Sequence, residues 1–118
     1  MLPRIHRLSD GRELNTTARS GTRAGCRNFV VSTVVQPVGA TGPSRFGFIV
    51  SKQVGNAVTR NVVKRRLREI AWKVITAEHR NGIDVVIRAL PSAASADYAK
   101  LDRDLHKCLR RGLAGSGT

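Results

Sequence analysis

Apolar side chains recur with a helical period in three segments of the chain. In residues 56–80 they fall on one face at positions i, i+4, i+7 and i+11, which predicts a long helix packed against a core. These residues are Val63, Leu67, Ile70 and Val74. A last helix over about 94–111 is predicted by a second such face, formed by Ala94, Tyr98, Leu101, Leu105 and Cys108. A short first helix is predicted over 9–19, where Asp10 and Glu13 resemble a capping box and Leu14 and Ala18 share one face.

Three other segments are rich in β-branched residues or alternate in polarity, which predicts strands over 28–36, 45–51 and 83–90. The segment 37–44 between the first two strands is short and contains glycine and proline. We therefore expect these two strands to form an antiparallel hairpin. Asn81-Gly82 is expected to end the long helix. We expect residues 1–8 to be extended or frayed and residues 112–118 to form a flexible tail. The predicted fold class is α+β, a single domain over 1–118 in which helices pack against a small sheet.

The net charge restricts the possible classes of function more than any single motif does. Lysine and arginine number 21 and aspartate and glutamate number 8, so the formal net charge is +13. Such an excess destabilises a folded chain by self-repulsion unless a polyanion neutralises it, and nucleic acid is the obvious partner. A membrane surface is the alternative, but no apolar run approaches the ~20 residues of a spanning helix. No apolar stretch follows the charged start as in a secretory signal, so we expect a cytoplasmic protein without a membrane partner.

The chain offers little that would hold a metal or perform catalysis. Cys26 and Cys108 are far apart in sequence and have no second pair, whereas a zinc site needs about four ligands with local spacing. We therefore expect two reduced, inert thiols and no metal. No carboxylate pair, phosphate-binding glycine loop or Ser/His/Asp set is evident. Asp97, Asp102 and Asp104 are expected to offset the neighbouring cations Lys100, Arg103 and Lys107 on the last helix.

The long helix carries a row of cations beside its apolar face. Arg60, Lys64 and Arg68 are spaced i, i+4, i+8 and stack on one side, with Asn61 and Arg65 on the flank of the row. Like charges at this spacing repel one another, and external phosphates would turn that repulsion into attraction. Asn61 could read a base edge or a 2′-hydroxyl. At the start of the helix, Asn56 or Thr59 is a suitable N-cap, and the free amides there also favour anions.

The segment from Gly55 to Arg68 reads Gly-Asn-Ala-Val-Thr-Arg-Asn-Val-Val-Lys-Arg-Arg-Leu-Arg. It resembles the signature of the bacterial ribonuclease P protein component, and Val50-Ser51-Lys52 before it also fits. Length, charge and order of elements agree with that family along nearly the whole chain. The resemblance implies the element order αβββαβα and an unusual left-handed crossover of two parallel strands through the motif helix, where a right-handed one is the general expectation.

The resemblance also implies a function, namely that of the protein subunit of an endoribonuclease that removes the 5′ leader from precursor tRNA. In the family the catalyst is the RNA subunit with its magnesium ions, so no catalytic residue and no bound cofactor is expected on the protein. The expected partners are the catalytic RNA, in a 1:1 complex with a protein monomer, and precursor tRNA. By match of position the RNA contacts fall to Lys52, Arg60, Asn61, Lys64, Arg65 and Arg68, with Gly55 and Asn56 at the start of the helix.

Two features depart from the family pattern. The position after Arg60-Asn61 is often basic in the family and is Val62 here, which should weaken attraction to an RNA backbone unless Arg66 offsets it. Family members often line the leader cleft with aromatic residues, and the corresponding positions here are Leu14, Ala18 and Ser32. Stacking on a ring contributes about 1–3 kcal/mol per base, and these three side chains have no ring to supply it. Phe29 is the nearest aromatic residue and is expected in the core.

Two other functions fit a basic chain. A structural RNA-binding protein of ribosomal type would bind RNA tightly without promoting cleavage. A DNA-binding regulator would use residues 57–80 as a recognition helix, but a supporting helix normally precedes such a helix, and here a strand does.

Overall fold

A computed structural model describes residues 2–35, 42–78 and 82–116 of the chain. Its elements are α1 (Gly11–Ser20), β1 (Thr22–Gly25), β2 (Phe29–Val35), β3 (Arg45–Ile49), α2 (Ala57–Glu78), β4 (Ile83–Ala89) and α3 (Tyr98–Ser116), with 3₁₀ turns at Arg4–His6 and Pro91–Ala94. The order αβββαβα and the α+β class are confirmed. Strand β1 was not predicted, because Gly21 and Gly25 indicate chain breaks and only four residues lie in the strand.

The strands form one sheet in the order β1-β2-β4-β3. The predicted hairpin between β2 and β3 is wrong, because β4 lies between them, antiparallel to β2 and parallel to β3. The hairpin is formed instead by β1 and β2, whose turn is closed by a hydrogen bond from Cys26 N to Phe29 O of 3.0 Å. Residues 37–41 of the predicted turn, and Asn81 at the predicted end of α2, lie outside the described residues.

Helix α2 connects β3 to the parallel strand β4. Parallel neighbours cannot be joined by a tight turn, so the chain must cross back over the sheet, and here it does so through 22 helical residues. This is the crossover that the resemblance implies, and its left-handed sense stays an expectation. No helix in the part of the chain that the structure describes is long and apolar enough to cross a membrane.

The core lies between α2, α3 and one face of the sheet. The predicted stripe of α2 is confirmed, since Val63, Leu67, Ile70 and Val74 are each at most 1% exposed. On the sheet, alternate residues of β2, β3 and β4 meet this stripe, and α3 adds its own buried face. These core residues are Phe29, Val31, Phe46, Val85, Ile87, Leu101, Leu105 and Cys108. Ala94 was predicted on the face of α3 but lies exposed in the 3₁₀ turn before it.

Helix α1 packs on the opposite face of the sheet. Asp10 caps it as predicted, with its carboxylate accepting from Arg12 N at 2.8 Å and Glu13 N at 3.3 Å. Glu13 lies 2.7 Å from Arg45 Nη1, and Arg45 also forms two hydrogen bonds to Asp84, of 3.0 and 2.9 Å. These bonds, chiefly those that Arg45 donates to Asp84, raise the pKa of the Arg45 guanidinium. The ion triad therefore ties α1 to β3 and to β4.

Residues 2–8 and the end of α3 both have more defined structure than the sequence predicts. Leu2 is fully buried in the core and Leu8 is 3% exposed, so residues 2–8 lie against the fold where an extended or frayed segment was expected. Leu8 N donates to Phe46 O at 2.9 Å, which fixes this segment beside β3. At the other end, α3 continues to Ser116, five residues beyond the predicted end of the helix.

Gly47 sets how closely α1 and the N-terminal segment approach the sheet. An added Cβ would overlap Leu14 Cδ2 and would lie 2.6 Å from the backbone oxygen of Leu8. We expect Gly47→Ala to lower the free energy of unfolding by about 1–3 kcal/mol, because a backbone atom cannot rotate away. Urea unfolding measures it, with Gly11→Ala as the control because no atom lies within 4 Å of its added Cβ. Equal stability of the two variants would contradict this account.

Candidate nucleic-acid interface

The turn between β3 and α2 presents the start of the basic helix to solvent. Val54 N donates to Ser51 O at 3.1 Å, and this turn leaves Lys52 exposed. Asn56 caps α2 as predicted, accepting from Thr59 N at 2.9 Å. The absence of a side chain at Gly55 leaves room for Thr59, because a Cβ on Gly55 would lie 2.9 Å from Thr59 Cγ2. The sequence Gly55-Asn56 therefore begins the helix for reasons of clearance and capping.

The predicted row of cations lies on one side of α2, and we call Arg60, Lys64 and Arg68 the basic row. Arg68 is exposed, whereas Arg60 and Lys64 are half-buried. Lys64 and Arg68 line one shallow recess of about 190 Å³, together with Leu14, Phe46 and Phe48. Arg60 Nε is buried and, among the described residues, has no hydrogen-bond partner. The row thus borders the edge of β3, and no ion pair within the described part of the chain neutralises it.

The other predicted α2 residues separate into two groups. Asn61 and Arg65 are exposed beside the basic row, as their helical positions require. Arg66 points to the other flank, where its Nη1 donates to Ala96 O at 3.2 Å and holds the chain before α3. The suggestion that Arg66 offsets the neutral Val62 is therefore not supported by its position, because its guanidinium serves a structural contact.

A groove of about 290 Å³ lies between α1 and the sheet face that the core does not use. We call it the α1 groove. Ala18 and Ser32 both line it, and Ser32 Oγ donates to Ala18 O at 3.3 Å. Leu14, one turn earlier on α1, lines the recess that holds Lys64 and Arg68. The three positions predicted for a leader cleft therefore lie along one face of α1 and the sheet beneath it, but they border two adjoining depressions.

The fold and this arrangement match known proteins. The family model described as Ribonuclease P matches residues 2–112. The chain belongs to the ribonuclease P protein family. It is 54% identical over 105 residues to the ribonuclease P protein component of Kocuria rhizophila, covering 88% of each chain. It is 49% identical to that of Pseudarthrobacter chlorophenolicus, covering 96% of this chain and 81% of the relative.

Solved structures of ribonuclease P proteins have the same fold. The Staphylococcus aureus protein superimposes with a TM-score of 0.75 at 27% identity, covering 89% of this chain and 93% of that one. The Thermotoga maritima protein does so with a TM-score of 0.72 at 25% identity, covering 89% and 96%. Membership of the ribonuclease P family and its fold are therefore shown by sequence and by structure.

Three arginines line the α1 groove and were not predicted from the sequence. They are Arg19, Arg23 and Arg88, and Asn15 lies beside them. Arg23 lies across the groove, since its Nε and Nη2 donate to Ala18 O at 3.3 and 3.2 Å. Arg88 falls on the polar side of its alternating strand, and from this position it could have been predicted to lie outside the core. Arg23 lies in the unpredicted strand β1, and only the observed strand order brings it near Arg88.

Asp97, Asp102 and Asp104, at the start of α3 and within it, make contacts that the sequence does not predict. Asp97 caps α3 by accepting from Lys100 N at 2.8 Å. Asp102 lies 3.6 Å from Lys73 Nζ, and this contact raises the pKa of Lys73. Asp104 accepts from Asn28 Nδ2 at 2.7 Å. Among the described residues none of the three forms an ion pair with Lys100, Arg103 or Lys107, so the expectation that they offset these cations stays a prediction.

The two cysteines are free and lie side by side despite their distance in sequence. Cys108 is buried in the core, Cys26 is half-buried, and Cys26 Sγ donates to Phe29 O at 3.4 Å. Burial, and next the contact with Cys26, raise the pKa of Cys108 to about 12. The Cys108 thiol is therefore protonated at neutral pH. Within residues 2–35, 42–78 and 82–116, no three His, Cys, Asp or Glu side chains are placed to share a metal ion.

Proposed function

We propose that this chain is the protein subunit of ribonuclease P and acts by binding two RNAs. The basic row and its neighbours Asn61, Arg65 and Lys52 bind the catalytic RNA beside its active centre and position the precursor there, and the α1 groove holds the 5′ leader of precursor tRNA. The observation that carries this proposal is the two-sided character of α2. One side of the helix is locked into the core by four residues at most 1% exposed, while the other presents cations without carboxylate partners among the described residues.

Fixed cations are suited to this task because RNA is recognised mainly through phosphates, single-stranded bases and 2′-hydroxyls. A row anchored by a buried helix face loses little conformational freedom on binding, which favours affinity. In the proposed complex, magnesium ions bound by the RNA subunit supply the hydrolytic chemistry. The protein contributes by neutralising phosphates and positioning the substrate, as one copy per RNA in the cytoplasm.

The composition of the α1 groove favours a leader held through its backbone. Arg19, Arg23 and Arg88 provide forked donors that match phosphate oxygens, and the apolar lining consists of Ala18, Val30, Ile49 and Val86, none of which has a ring. Phe29, the nearest aromatic residue in sequence, is fully buried in the core as expected. Electrostatic attraction therefore takes the part that aromatic stacking has in many relatives, and leader binding should depend strongly on salt and weakly on base identity.

Reconstitution tests the proposed function directly. The purified protein is added to a bacterial ribonuclease P RNA at low magnesium concentration, and the appearance of 5′-matured tRNA is followed. We expect the protein to accelerate maturation, because phosphate repulsion limits the RNA alone under these conditions. Tight binding to ribosomal RNA with no acceleration would instead identify a structural protein of ribosomal type. Preference for duplex DNA in competition with structured RNA would identify a DNA-binding regulator.

Removing single cations from the basic row should separate substrate positioning from general RNA affinity. We expect Arg60→Ala or Arg68→Ala to weaken holoenzyme binding of leader-containing precursor roughly tenfold, the effect of one charged hydrogen bond. Binding of mature tRNA should change less. Arg12→Ala is the control, since it removes an exposed arginine at the start of α1. Equal losses on both RNAs would exclude a positioning role for the row.

Neutralising the α1 groove should change the salt dependence of leader recognition. We expect Arg19→Gln/Arg88→Gln to reduce the slope of log affinity against log salt by roughly 0.7 for each leader phosphate released. The difference in affinity between precursor and mature tRNA should shrink in parallel. Filter binding at several salt concentrations measures both quantities. An unchanged slope with leader-containing substrate would show that the leader does not lie in this groove.

A further inference from the structure

A second basic depression lies away from α2. It is a recess of about 270 Å³ between the β1–β2 turn, the 3₁₀ turn Pro91–Ala94 and the first half of α3. We call it the α3 recess. Its cations are Arg27, Lys100 and Arg103, which come from two distant parts of the chain and are all exposed. None of the residues assigned above to either RNA lines it.

The walls of the α3 recess are fixed by hydrogen bonds. Ser92 Oγ donates to Arg27 O at 2.7 Å, which joins the 3₁₀ turn to the β1–β2 turn. Asn28, only 4% exposed, donates to Asp104 Oδ2 at 2.7 Å, and its own carbonyl accepts from Leu90 N at 2.8 Å. These bonds therefore hold together the backbone segments that carry the three cations before any ligand binds.

The cations of the recess have no carboxylate partner among the described residues. Asp104 is the acidic residue in the lining; its Oδ2 accepts from the neutral Asn28 amide, so its charge offsets part of the three positive charges and leaves the recess cationic. Asp97 caps α3, and Asp102 is directed to Lys73. Lys100 and Arg103 are three residues apart on α3 and repel each other. This arrangement is unfavourable for the isolated protein and becomes favourable when an anion enters.

The donors that remain for a ligand are charged ones. The Ser92 hydroxyl donates to Arg27 O, and the Ser95 hydroxyl donates to Ser92 O at 3.5 Å. A guanidinium fork and an ammonium group match phosphate oxygens in geometry and charge. We propose that the α3 recess binds a phosphodiester of RNA, as a third contact beside the basic row and the α1 groove. This assignment rests on the proposed function, because it takes the RNA from that complex.

Paired neutralisation tests the recess. We compare Lys100→Gln/Arg103→Gln with the control Arg4→Gln/Arg12→Gln, which removes the same charge from exposed positions elsewhere. Affinity is measured against salt for the catalytic RNA alone, and for precursor tRNA added to the assembled holoenzyme. We expect the recess variant to lose about tenfold in affinity and about 1 in log–log slope for one of these RNAs. The control should lose less in both.

The two RNAs distinguish the source of the phosphate. A loss confined to the first measurement assigns the recess to the catalytic RNA, and a loss confined to the second assigns it to the substrate. An unchanged slope in both, or an equal loss in the control, overturns the assignment. A wild-type protein that binds neither RNA overturns the proposed function as well, so the two failures are distinguishable.

An exposed serine provides a second test that does not depend on the stability of the double variant. Ser95 lies in the wall of the recess and is exposed. Ser95→Glu adds a negative charge beside the three cations and should weaken binding to the same RNA, whereas Ser95→Gln, of similar size, should not. Thermal unfolding of both variants checks that the fold is kept. Equal binding by the two variants would contradict a phosphate contact at this place.

Discussion

The pairing of β3 with β4 as parallel neighbours is the constraint on which the rest of the molecule depends. Parallel strands require a long return path, and α2 supplies it across the face that carries the core. The helix is therefore obliged to bury one side. Its charged side must then lie toward solvent, next to the β3 edge from which the chain has just departed. The position of the basic row is in this sense a consequence of strand order.

Much of this could be predicted from local patterns, because the core follows them. The stripe from Val63 to Val74, the Asn56 cap and strand β4 were evident from periodicity and capping chemistry, and the motif within α2 indicated the family. Strand β1 and the order of the sheet could not be derived in this way. Four residues between two glycines carry too little pattern, and whether β2 pairs with β3 or β4 depends on tertiary packing.

The residues of the candidate interface also divide into those predictable from a single helix and those that only the tertiary fold brings together. The basic row is a property of one helix and is readable from spacing alone. The α1 groove combines Arg19, Arg23 and Arg88 from three elements. The α3 recess combines Arg27 of the β1–β2 turn with Lys100 and Arg103 of α3. Nor does sequence distance indicate which acid neutralises which base. Asp102 lies near Lys73 of α2 as well as His106 one turn further along α3, and Asp104 accepts from the neutral amide of Asn28.

Gly47 influences the α1 groove although it is not one of the residues that line it. This glycine lets Leu14 and the backbone of Leu8 approach β3 directly, and Ala18, one turn after Leu14 on α1, lines the groove. The approach of α1 to the sheet therefore depends on a missing methyl group on β3, outside the lining of the groove. A larger residue at this position would require α1 to lift from β3, and the groove would then differ in width with every lining residue unchanged.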